Sequence, residues 1–262
     1  MIGIVGLGFV GTALFVSFTK KNIVVKTYDK FKTSDDLSYI LDCKITFLCL
    51  PTLFNEEINQ YDKSAIMETC EWLEHNLYRG VIVIKSTVEP ETTDRLSEKY
   101  KKLRLLHNPE FLTAITANED FHNQKHIVIG RGLNCSEEDS LLVEWFYKDN
   151  YPEAEVSTCT SLESESMKIF CNSFYASKIM LFNEFKLLCD KNNSNFNTIK
   201  TLMLKNNWIN SMHTDVPGPD GKLGYGGACF PKDTKALNQY MLSRGSENQV
   251  LQSVITECDK IR

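Results

Sequence analysis

The chain has 262 residues, a formal net charge of −5 and a sequence pI near 5.6. This length is enough for one large or two modest domains with an ample core. The acidic balance, with basic runs no longer than pairs such as Lys20-Lys21, argues against nucleic acid and the membrane surface as partners. Nine scattered cysteines without a C-x-x-C pair predict reduced thiols, no metal site and a cytoplasmic location.

The amino terminus carries a dinucleotide-binding pattern. A short apolar run leads into a G-x-G-x-x-G motif at residues 6–11, and residues 12–19 then have a helical pattern. A second apolar run, 23–28, ends at Asp29, where a Rossmann-type fold places the carboxylate that holds the adenosine ribose and favours NAD over NADP. Residues 1–18 are also apolar enough for a signal peptide or membrane span. The glycine spacing and the lack of a preceding basic residue or a cleavage site favour the Rossmann interpretation.

The rest of the first half alternates between strand-like and helix-like patterns. The predicted strands are 45–50, 81–85, 103–107, 126–129 and 155–158, and the predicted helices between them are 64–76, 92–102 and 136–147. Alternation of this kind predicts an α/β fold with a doubly wound parallel sheet. We therefore expect an NAD-binding Rossmann-type domain over residues 1–158.

From residue 161 onward the sequence predicts helix almost throughout. Ser161 offers a capped start, and apolar residues recur at helical spacing as far as Asp190, which predicts a helix that is long for a globular protein. Shorter helices are predicted at 198–205, 234–243 and 247–262. We expect a smaller all-α domain over 159–262 built on the long helix. The surplus of aromatic and aliphatic residues on that helix predicts a self-pairing face and a homodimer.

A glycine-rich segment at residues 223–233 leads to a single cysteine, Cys229, and then to Lys232 and Asp233. Glycines let the backbone approach a ligand and present its N–H groups without obstruction. A neighbouring ammonium group would lower the thiol pKa and favour the reactive thiolate. The pattern predicts a nucleophile loop, although the residues alone also allow a tight loop around a buried structural thiol.

Together, these motifs resemble the UDP-glucose/GDP-mannose dehydrogenase family. Five local matches occur in the family's order, and a weaker one, Lys168-x-x-x-Asn172, lies between the last two. The five are Gly6-Leu7-Gly8-Phe9-Val10-Gly11, Leu50-Pro51-Thr52, Ser86-Thr87-Val88, Asn108-Pro109-Glu110-Phe111-Leu112 and the segment from Gly224 to Asp233. They span nearly the whole chain, and the last is the most specific. Because members oxidise the C6 alcohol of a nucleotide sugar to a carboxylate with NAD, the resemblance implies an enzyme of this kind.

The resemblance also implies two binding sets. The set for NAD is Gly6, Gly8, Phe9, Val10, Gly11, Asp29, Leu50, Pro51, Thr52, Ser86, Thr87 and Lys232. The set for the nucleotide sugar is Glu110, Phe111, Leu112, Lys168, Asn172, Lys222, Gly224, Tyr225 and Gly226. UDP-glucose is the leading substrate, with GDP-mannose or a UDP-N-acetyl-hexosamine as alternatives.

The chemistry of such a reaction requires a nucleophile. Taking an alcohol to an acid removes four electrons, so two hydrides must leave in turn. A thiolate that adds to the aldehyde prevents its escape, because the resulting thiohemiacetal is oxidised to a thioester that water then hydrolyses. By the resemblance, Cys229 is this nucleophile.

Five further residues complete the catalytic set that the resemblance implies. Lys168 and Asn172 lie four apart on one helix face and would stabilise the negative charge that develops on the sugar oxygen. Glu110 would be the general base in hydrolysis, and Asp233 would position the lysine and a water. Thr87 would place a hydroxyl near that water and the nicotinamide.

Three features depart from the family pattern. Ala114 stands where many members have a second glutamate, and the arginine that often precedes the glycine-rich loop is missing, with Lys222 or His213 as possible substitutes. The sequence stops at Arg262, where typical members continue into a second nucleotide-binding domain, so we expect a short form without it. Two other functions stay open. One is a non-catalytic NAD-binding module that works with a full-length partner, and the other is a hydroxyacid dehydrogenase, which needs no thiol.

Overall fold

The computed structural model describes residues 1–262, which divide into two compact units. The first unit comprises residues 1–55 and 61–168, and the second comprises residues 56–60 and 169–262. The chain leaves the first unit at residue 168, inside a helix, whereas the sequence places a domain boundary near residue 158. The division into units assigns no role to either of them. The NAD-binding role of the first domain and the dimerisation role of the second stay predictions.

The first unit is built on a seven-stranded sheet with the strand order β2-β1-β3-β6-β7-β8-β9. The strands are β1 (Ile2–Val5), β2 (Val25–Tyr28), β3 (Ile45–Leu48), β6 (Val81–Ile84), β7 (Arg104–His107), β8 (His126–Arg131) and β9 (Glu155–Thr160), with a two-stranded ribbon of β4 (Phe54–Asn55) and β5 (Gln60–Tyr61). The helices are α1 (Phe9–Lys20), α2 (Ser64–His75), α3 (Thr92–Lys99), α4 (Ala117–His122), α5 (Glu137–Asn150) and a 3-10 helix (Leu37–Asp42). The ribbon, α4 and the 3-10 helix are absent from the sequence prediction because such short elements show no period.

Alternate residues of the strands contribute to two hydrophobic clusters, one on each face of the sheet. In β6, Val81 and Val83 belong to one cluster, and Ile82 and Ile84 belong to the other. Helices α1, α4 and α5 contribute to the first cluster, whereas α2 and α3 contribute to the second. Strands β1, β3 and β6 are buried along their whole length because both faces are covered, and the predicted doubly wound α/β fold is confirmed.

One strand pairing differs from the predicted parallel sheet. β7 and β8 pair antiparallel, and the other neighbouring strands of the sheet pair in parallel. The connection between β7 and β8 contains only the six-residue α4, whose Phe121 packs on Phe18 of α1 with ring centroids 5.8 Å apart. It supplies no crossover helix of the kind that joins parallel neighbours. Periodicity reveals the face on which a side chain lies but not the direction of the strand, so the sequence could not show this reversal.

Helix α6 (Ser161–Asn192) has 32 residues and confirms the predicted long helix. Its cap differs from the prediction, because Thr160 and not Ser161 forms the reciprocal bonds. The Thr160 hydroxyl accepts the Glu163 amide at 3.2 Å, and the Glu163 carboxylate accepts the Thr160 amide at 2.8 Å. The Ser161 hydroxyl instead donates to Asp94 at 2.7 Å.

Glu165, one turn into α6, is a fully buried carboxylate that caps another helix. Its Oε1 accepts the amide of Thr93 at 2.7 Å and the Thr93 hydroxyl at 2.6 Å, at the start of α3, whereas its Oε2 has no partner. Burial, with the nearby Asp94 adding to it, raises the pKa of Glu165 to about 7, against the bonds from Thr93 that lower it. The folded protein therefore holds a proton that the unfolded chain releases near pH 4.5.

The free energy of unfolding is expected to fall as pH rises from 4.5 through 7, by an amount on the order of 3 kcal/mol from Glu165. In Glu165→Gln, which keeps the acceptor for Thr93 and has no proton to lose, this contribution to the pH dependence should vanish. Urea unfolding at intervals from pH 4.5 to 8 measures it, with the exposed Glu119→Gln as the matched control. Identical slopes for wild type and Glu165→Gln would contradict the prediction.

The second unit is helical. It contains most of α6, followed by α7 (Phe196–Leu204), α8 (Phe230–Ser243) and α9 (Gln249–Ile261). One cluster joins Ala176 and Met180 of α6 to Tyr225 of the glycine-rich loop and Cys258 of α9. α8 begins four residues before its predicted start, so that Cys229 becomes its N-cap. No helix in the structure is both long enough and apolar enough to cross a lipid bilayer.

Candidate active site

Four of the sequence motifs meet at one edge of the sheet in the first unit. The last residues of the parallel strands β1, β3, β6 and β7 are in register with one another. The segments that follow these strands are residues 6–11, 50–52, 86–88 and 108–112. Open α/β sheets bind ligands at the carboxyl ends of their strands. The fold therefore brings together motifs that lie up to a hundred residues apart in the sequence.

The glycine loop between β1 and α1 has the geometry of a dinucleotide site. Gly6 has φ +91°, and a Cβ there would lie 2.4 Å from the Cys49 carbonyl oxygen. A Cβ on Gly11 would lie 1.8 Å from the Gly6 carbonyl oxygen, so close packing of helix and strand requires glycine. At Gly8, by contrast, a Cβ would have no atom within 4 Å, and no side chain caps α1. The first-turn amides of α1 are available to an anion, so these residues fit the pyrophosphate of NAD.

A cavity of about 580 Å³ adjoins this loop, a size typical of small-molecule sites. Its walls include Gly8, Phe9 and Lys32 on one side and the segment 114–119 on the other. Ala114 is part of the wall, so this position presents a methyl group and no carboxylate to the cavity. The predicted cofactor residues Gly8 and Phe9 line it directly.

Asp29 lies at the end of β2, beside the glycine loop. Its Oδ2 accepts the amide of Leu7 at 2.6 Å, and its Oδ1 accepts the amide of Phe31 at 2.9 Å. Burial alone would raise the pKa of Asp29, but these amides and the Lys32 cation together hold it below its ordinary value. Asp29 is therefore ionised and fixed against the loop, as the predicted acceptor for ribose hydroxyls must be.

Asp29→Asn is expected to weaken NAD binding on the order of tenfold to a hundredfold, because a charged hydrogen-bond acceptor is replaced by a neutral one. The same change should narrow the preference for NAD over NADP. Titration calorimetry with both cofactors measures this effect. Asp149→Asn, an exposed change on α5, is the matched control. Equal NAD affinities for wild type and Asp29→Asn would contradict the assignment of the ribose site.

The two predicted cofactor segments after β3 and β6 are bonded to each other. The Ser86 hydroxyl accepts the Leu50 amide at 2.9 Å and donates to the Leu50 carbonyl at 2.6 Å. The Thr52 hydroxyl donates to the Thr87 carbonyl at 2.8 Å. Thr52, Ser86 and Thr87 are all buried. These contacts fix the two segments and the turn at Pro51 relative to each other.

The first unit also holds a buried ion pair. Lys168 Nζ lies 3.2 Å from Glu110 Oε1, and the two side chains are 5% and 9% exposed. Glu110 Oε2 accepts the amide of Leu112 at 2.6 Å, and Lys168 Nζ lies 5.2 Å from the ring centroid of Phe111. The fold thus joins four of the predicted substrate residues, and the lysine that sequence periodicity alone would leave in solvent is paired and buried.

The second unit positions the predicted nucleophile at the start of α8. Cys229 is exposed and is the N-cap residue, and its carbonyl accepts the amide of Asp233 at 3.0 Å. The buried Asp233 accepts the Asn172 amide group at 2.6 Å and Lys232 Nζ at 2.5 Å. A helix N-terminus and a nearby ammonium group both stabilise an anion. This unit therefore brings Asn172 and Lys232 to Asp233, one turn after Cys229, and the catalytic roles of these residues stay predictions.

The glycine-rich loop is fixed by its neighbours in the same unit. Gly224 has φ +69°, and its amide donates to Asn183 Oδ1 at 3.0 Å. Tyr225 is buried, with its hydroxyl 3.3 Å from the Thr234 hydroxyl, and a Cβ on Gly226 would overlap the guanidinium group of Arg262. The chain therefore reaches α8 in one defined path.

The two possible substitutes for the missing arginine differ in their surroundings. Lys222 is exposed. His213 has a left-handed φ of 65° and packs with Tyr175 and Phe230, at ring-centroid distances of 4.9 and 5.4 Å. Its Nδ1 is buried and has no hydrogen-bond partner. Both roles stay predictions.

Cys229 differs from the other cysteines in its environment. All nine are thiols, six are buried, Cys159 and Cys171 are intermediate, and Cys229 is exposed. Burial raises the pKa of Cys43 to about 11 and that of Cys49 to about 12, so such thiols are inert near neutral pH. No group of three or more His, Cys, Asp or Glu side chains is arranged to hold a metal ion.

Two buried polar residues beside this edge, Lys85 and Asn108, are outside the predicted site sets, although Asn108 opens one of the motifs. Lys85, the residue after β6, is 1% exposed and donates to Asn108 Oδ1 at 2.9 Å. The Asn108 amide in turn donates to the Val128 carbonyl at 2.6 Å. The available signal was a lysine that closes the apolar strand 81–84, directly before Ser86. A lysine at the end of a strand is ordinarily in solvent, so only the structure shows that this one is buried.

Comparison with known proteins identifies related sequences for both halves of the chain. Residues 24–149 match the NAD binding domain of the UDP-glucose/GDP-mannose dehydrogenase family, and residues 162–259 match the central domain of the same family. The matches confirm the resemblance found from the motifs, and they confirm NAD as the cofactor of the matched domain.

Named relatives agree with these matches. The UDP-glucose 6-dehydrogenase of Streptococcus pneumoniae is 29% identical over 227 residues, which cover 83% of this chain and 55% of that protein. The enzyme of the same name from Rickettsia bellii is 33% identical over 199 residues, which cover 74% of this chain and 44% of that protein. The chain thus spans about half the length of the curated relatives it matches.

Solved structures share the fold. A UDP-glucose dehydrogenase from Pyrobaculum islandicum matches with a TM-score of 0.85 at 23% identity, covering 99% of this chain and 68% of that one. A 3-hydroxyisobutyrate dehydrogenase from Mycobacterium tuberculosis matches with a TM-score of 0.76 at 14% identity, covering 99% of this chain and 92% of that one. At these identities the likeness shows the fold alone, and the fold occurs with more than one substrate.

Proposed function

We propose that this chain, which belongs to the UDP-glucose/GDP-mannose dehydrogenase family, oxidises the C6 alcohol of a nucleotide sugar to a carboxylate. The observation that carries the proposal is the exposed Cys229 at the N-terminus of α8, one turn before a buried Asp233 that holds Asn172 and Lys232. UDP-glucose is the first substrate to test, because the curated relatives are named for it. GDP-mannose and a UDP-N-acetyl-hexosamine are the alternatives. The scattered thiols favour a reducing, cytoplasmic location.

Cys229 retains the aldehyde between the two oxidations. NAD, when bound, accepts one hydride in each oxidation. The Cys229 thiolate forms a carbon–sulfur bond to the aldehyde carbon, and the electron pair of the carbonyl π bond moves to the oxygen, which takes up a proton. The resulting thiohemiacetal loses the second hydride of the reaction and its hydroxyl proton, and it becomes a thioester. Water then adds to the thioester carbon and gives up a proton. The carbon–sulfur bond breaks, its electron pair returns to the Cys229 sulfur, and the sugar carboxylate leaves.

The remaining predicted residues control charge and protons. Negative charge develops on the sugar oxygen in each addition, and Lys168 and Asn172 are proposed to stabilise it. Glu110 is proposed to take the proton of the attacking water, and its carboxylate lies 3.2 Å from the Lys168 ammonium group. Asp233 orients Asn172 and Lys232 through its two carboxylate oxygens.

We further propose that the chain pairs with a second copy through α6. Within the second unit this helix exposes a row of large apolar side chains, between 38% and 65% accessible. They are Phe170, Phe174, Leu181, Phe185 and Leu188. Their spacing of three, four and seven residues forms one stripe, and an apolar stripe of this length on a helix favours association. Sedimentation equilibrium of wild type and Leu181→Glu tests the pairing.

The function is tested by counting NADH at 340 nm from purified protein with NAD and, separately, UDP-glucose, UDP-N-acetylglucosamine, UDP-N-acetylmannosamine and GDP-mannose. We expect about two NADH per sugar consumed with one of them, since four electrons leave the alcohol. Cys229→Ala is the control and should form no acid. NAD binding without turnover on any of the sugars would favour a non-catalytic module acting with a partner.

The same control separates this proposal from a hydroxyacid dehydrogenase with the same fold. A single hydride transfer to NAD needs no thiol, so an enzyme of that kind would keep its activity in Cys229→Ala. A yield of one NADH per substrate with a hydroxyacid, unchanged in the variant, would support that function in place of the proposed one.

A further inference from the structure

Lys85 is a buried ammonium group without a carboxylate among its contacts. Its side chain is 1% exposed, and Nζ donates to Asn108 Oδ1 at 2.9 Å and to the Pro109 carbonyl at 3.1 Å. The Phe121 ring lies against it, with the centroid 5.6 Å from Nζ. Burial lowers the pKa of Lys85 to about 8. A cation is costly to remove from water, so its presence here calls for a role beyond packing.

Both acceptors of Lys85 belong to the residues directly before Glu110. The Asn108 side chain also accepts the Tyr147 hydroxyl at 2.5 Å and donates to the Val128 carbonyl at 2.6 Å. Asn108 is thus held from three elements of the first unit. The Lys85 ammonium group fixes both the side chain of Asn108 and the backbone from which Glu110 projects.

The charges around Lys85 do not cancel. Lys168 is paired with Glu110 at 3.2 Å, so Lys85 is the excess positive charge of the cluster. The other titratable groups that face it are neutral. Burial raises the pKa of Cys49 to about 12, lowers that of His107 to about 3 and raises that of Tyr147 well above its ordinary value.

We propose that Lys85 is a positioning residue for the hydrolytic step. Its ammonium group holds residues 108–110, so that the Glu110 carboxylate stays against Lys168 and accepts the proton of the attacking water. This role rests on the proposed function. Water oxygen bonds to the thioester carbon, its proton passes to Glu110 and then to solvent, and the carbon–sulfur electron pair leaves with the Cys229 sulfur. Loss of the charge on Lys85 weakens its bonds to Asn108 and Pro109, so the backbone from which the Glu110 carboxylate projects is held less firmly.

The test compares Lys85→Met, Lys85→Arg and wild type with the sugar that gives turnover. Lys85→Met should release a first burst of two NADH per active site and then turn over about a hundredfold more slowly, with KM within about twofold. Intact-mass spectrometry should show the thioester accumulating on Cys229. Wild-type kcat should fall above about pH 8, where Lys85 loses its proton. Lys85→Arg should recover most of the lost rate without this fall, because guanidinium stays protonated.

Two further variants make the result specific. Tyr147→Phe removes the other donor to the same Asn108 oxygen but leaves the cation, so its rate should keep the fall above pH 8. Lys44→Met, an exposed change before β3, should leave the rate and its pH profile unchanged. NAD titration of each variant checks that the fold is intact.

If Lys85→Met has the same kcat as wild type and accumulates no thioester, the role of Lys85 is overturned. A fall in kcat above pH 8 that persists in Lys85→Arg would overturn it as well. If Lys85→Met does not fold, the pH profiles of wild type and Lys85→Arg decide the question. A wild-type protein that forms no NADH from any nucleotide sugar would overturn the proposed function itself, which is a separate result.

Discussion

Replacement of Cys229 by alanine is expected to lower acid formation by ~10⁴-fold or more, because neither the thiohemiacetal nor the thioester can then form. The first oxidation, from alcohol to aldehyde, does not use the thiol. The variant should therefore release a sugar aldehyde with no more than one NADH per sugar. Carbonyl-trapping reagents with mass spectrometry identify the aldehyde, and 340 nm absorbance gives the NADH yield.

The matched control for this change is Cys159→Ala on β9. Cys159 is also partly accessible, but burial raises its pKa, and it lies outside the glycine-rich loop. Its loss should leave the yield at about two NADH per sugar, as four-electron oxidation requires. Two NADH per sugar from Cys229→Ala would show that the aldehyde is oxidised without a thiol adduct, and Cys229 would then be a structural residue.

The order of the strands and long helices along the chain could be predicted from the sequence because burial gives these elements a recognisable pattern of apolar residues. Four-residue apolar strands such as 81–84 are covered on both faces, and α6 repeats its apolar residues over 32 positions. The direction of β8 leaves no such pattern, since a strand with the same alternation can run either way. The antiparallel pairing of β7 with β8 therefore had to come from the structure.

The candidate site was predictable to the extent that motifs follow strand ends. Parallel strands in register bring the segments after them to one edge, so a parallel sheet places Gly6, Ser86 and Glu110 along the same edge. Pairings of side chains were less predictable. The structure joins Glu110 to Lys168, and it shows Asp233 bonded to Lys232 and Asn172. Long side chains reach several possible partners from one backbone position, and burial decides among them.

Lys168→Met is expected to reduce kcat by roughly 10² to 10³, because it removes a fixed cation from the oxygen on which charge develops. It should also destabilise the fold by roughly 3–5 kcal/mol, since Glu110 would keep a buried charge without its partner. These two losses have different causes. Denaturant unfolding reports the stability, and steady-state NADH formation reports the rate.

A double variant separates the two effects. Lys168→Met combined with Glu110→Gln leaves no unpaired charge, so most of the lost stability should return, whereas activity should stay low because both groups take part in the chemistry. A second ion pair on α6 supplies the control. Lys186 and Asp190 are bonded at 2.5 Å but are 30% and 56% exposed, so Lys186→Met should cost less than about 1 kcal/mol. Recovery of both stability and rate in the double variant would show that Lys168 serves only to neutralise Glu110. Recovery of stability with a rate well below that of the single variant Glu110→Gln would assign the lysine to the reaction.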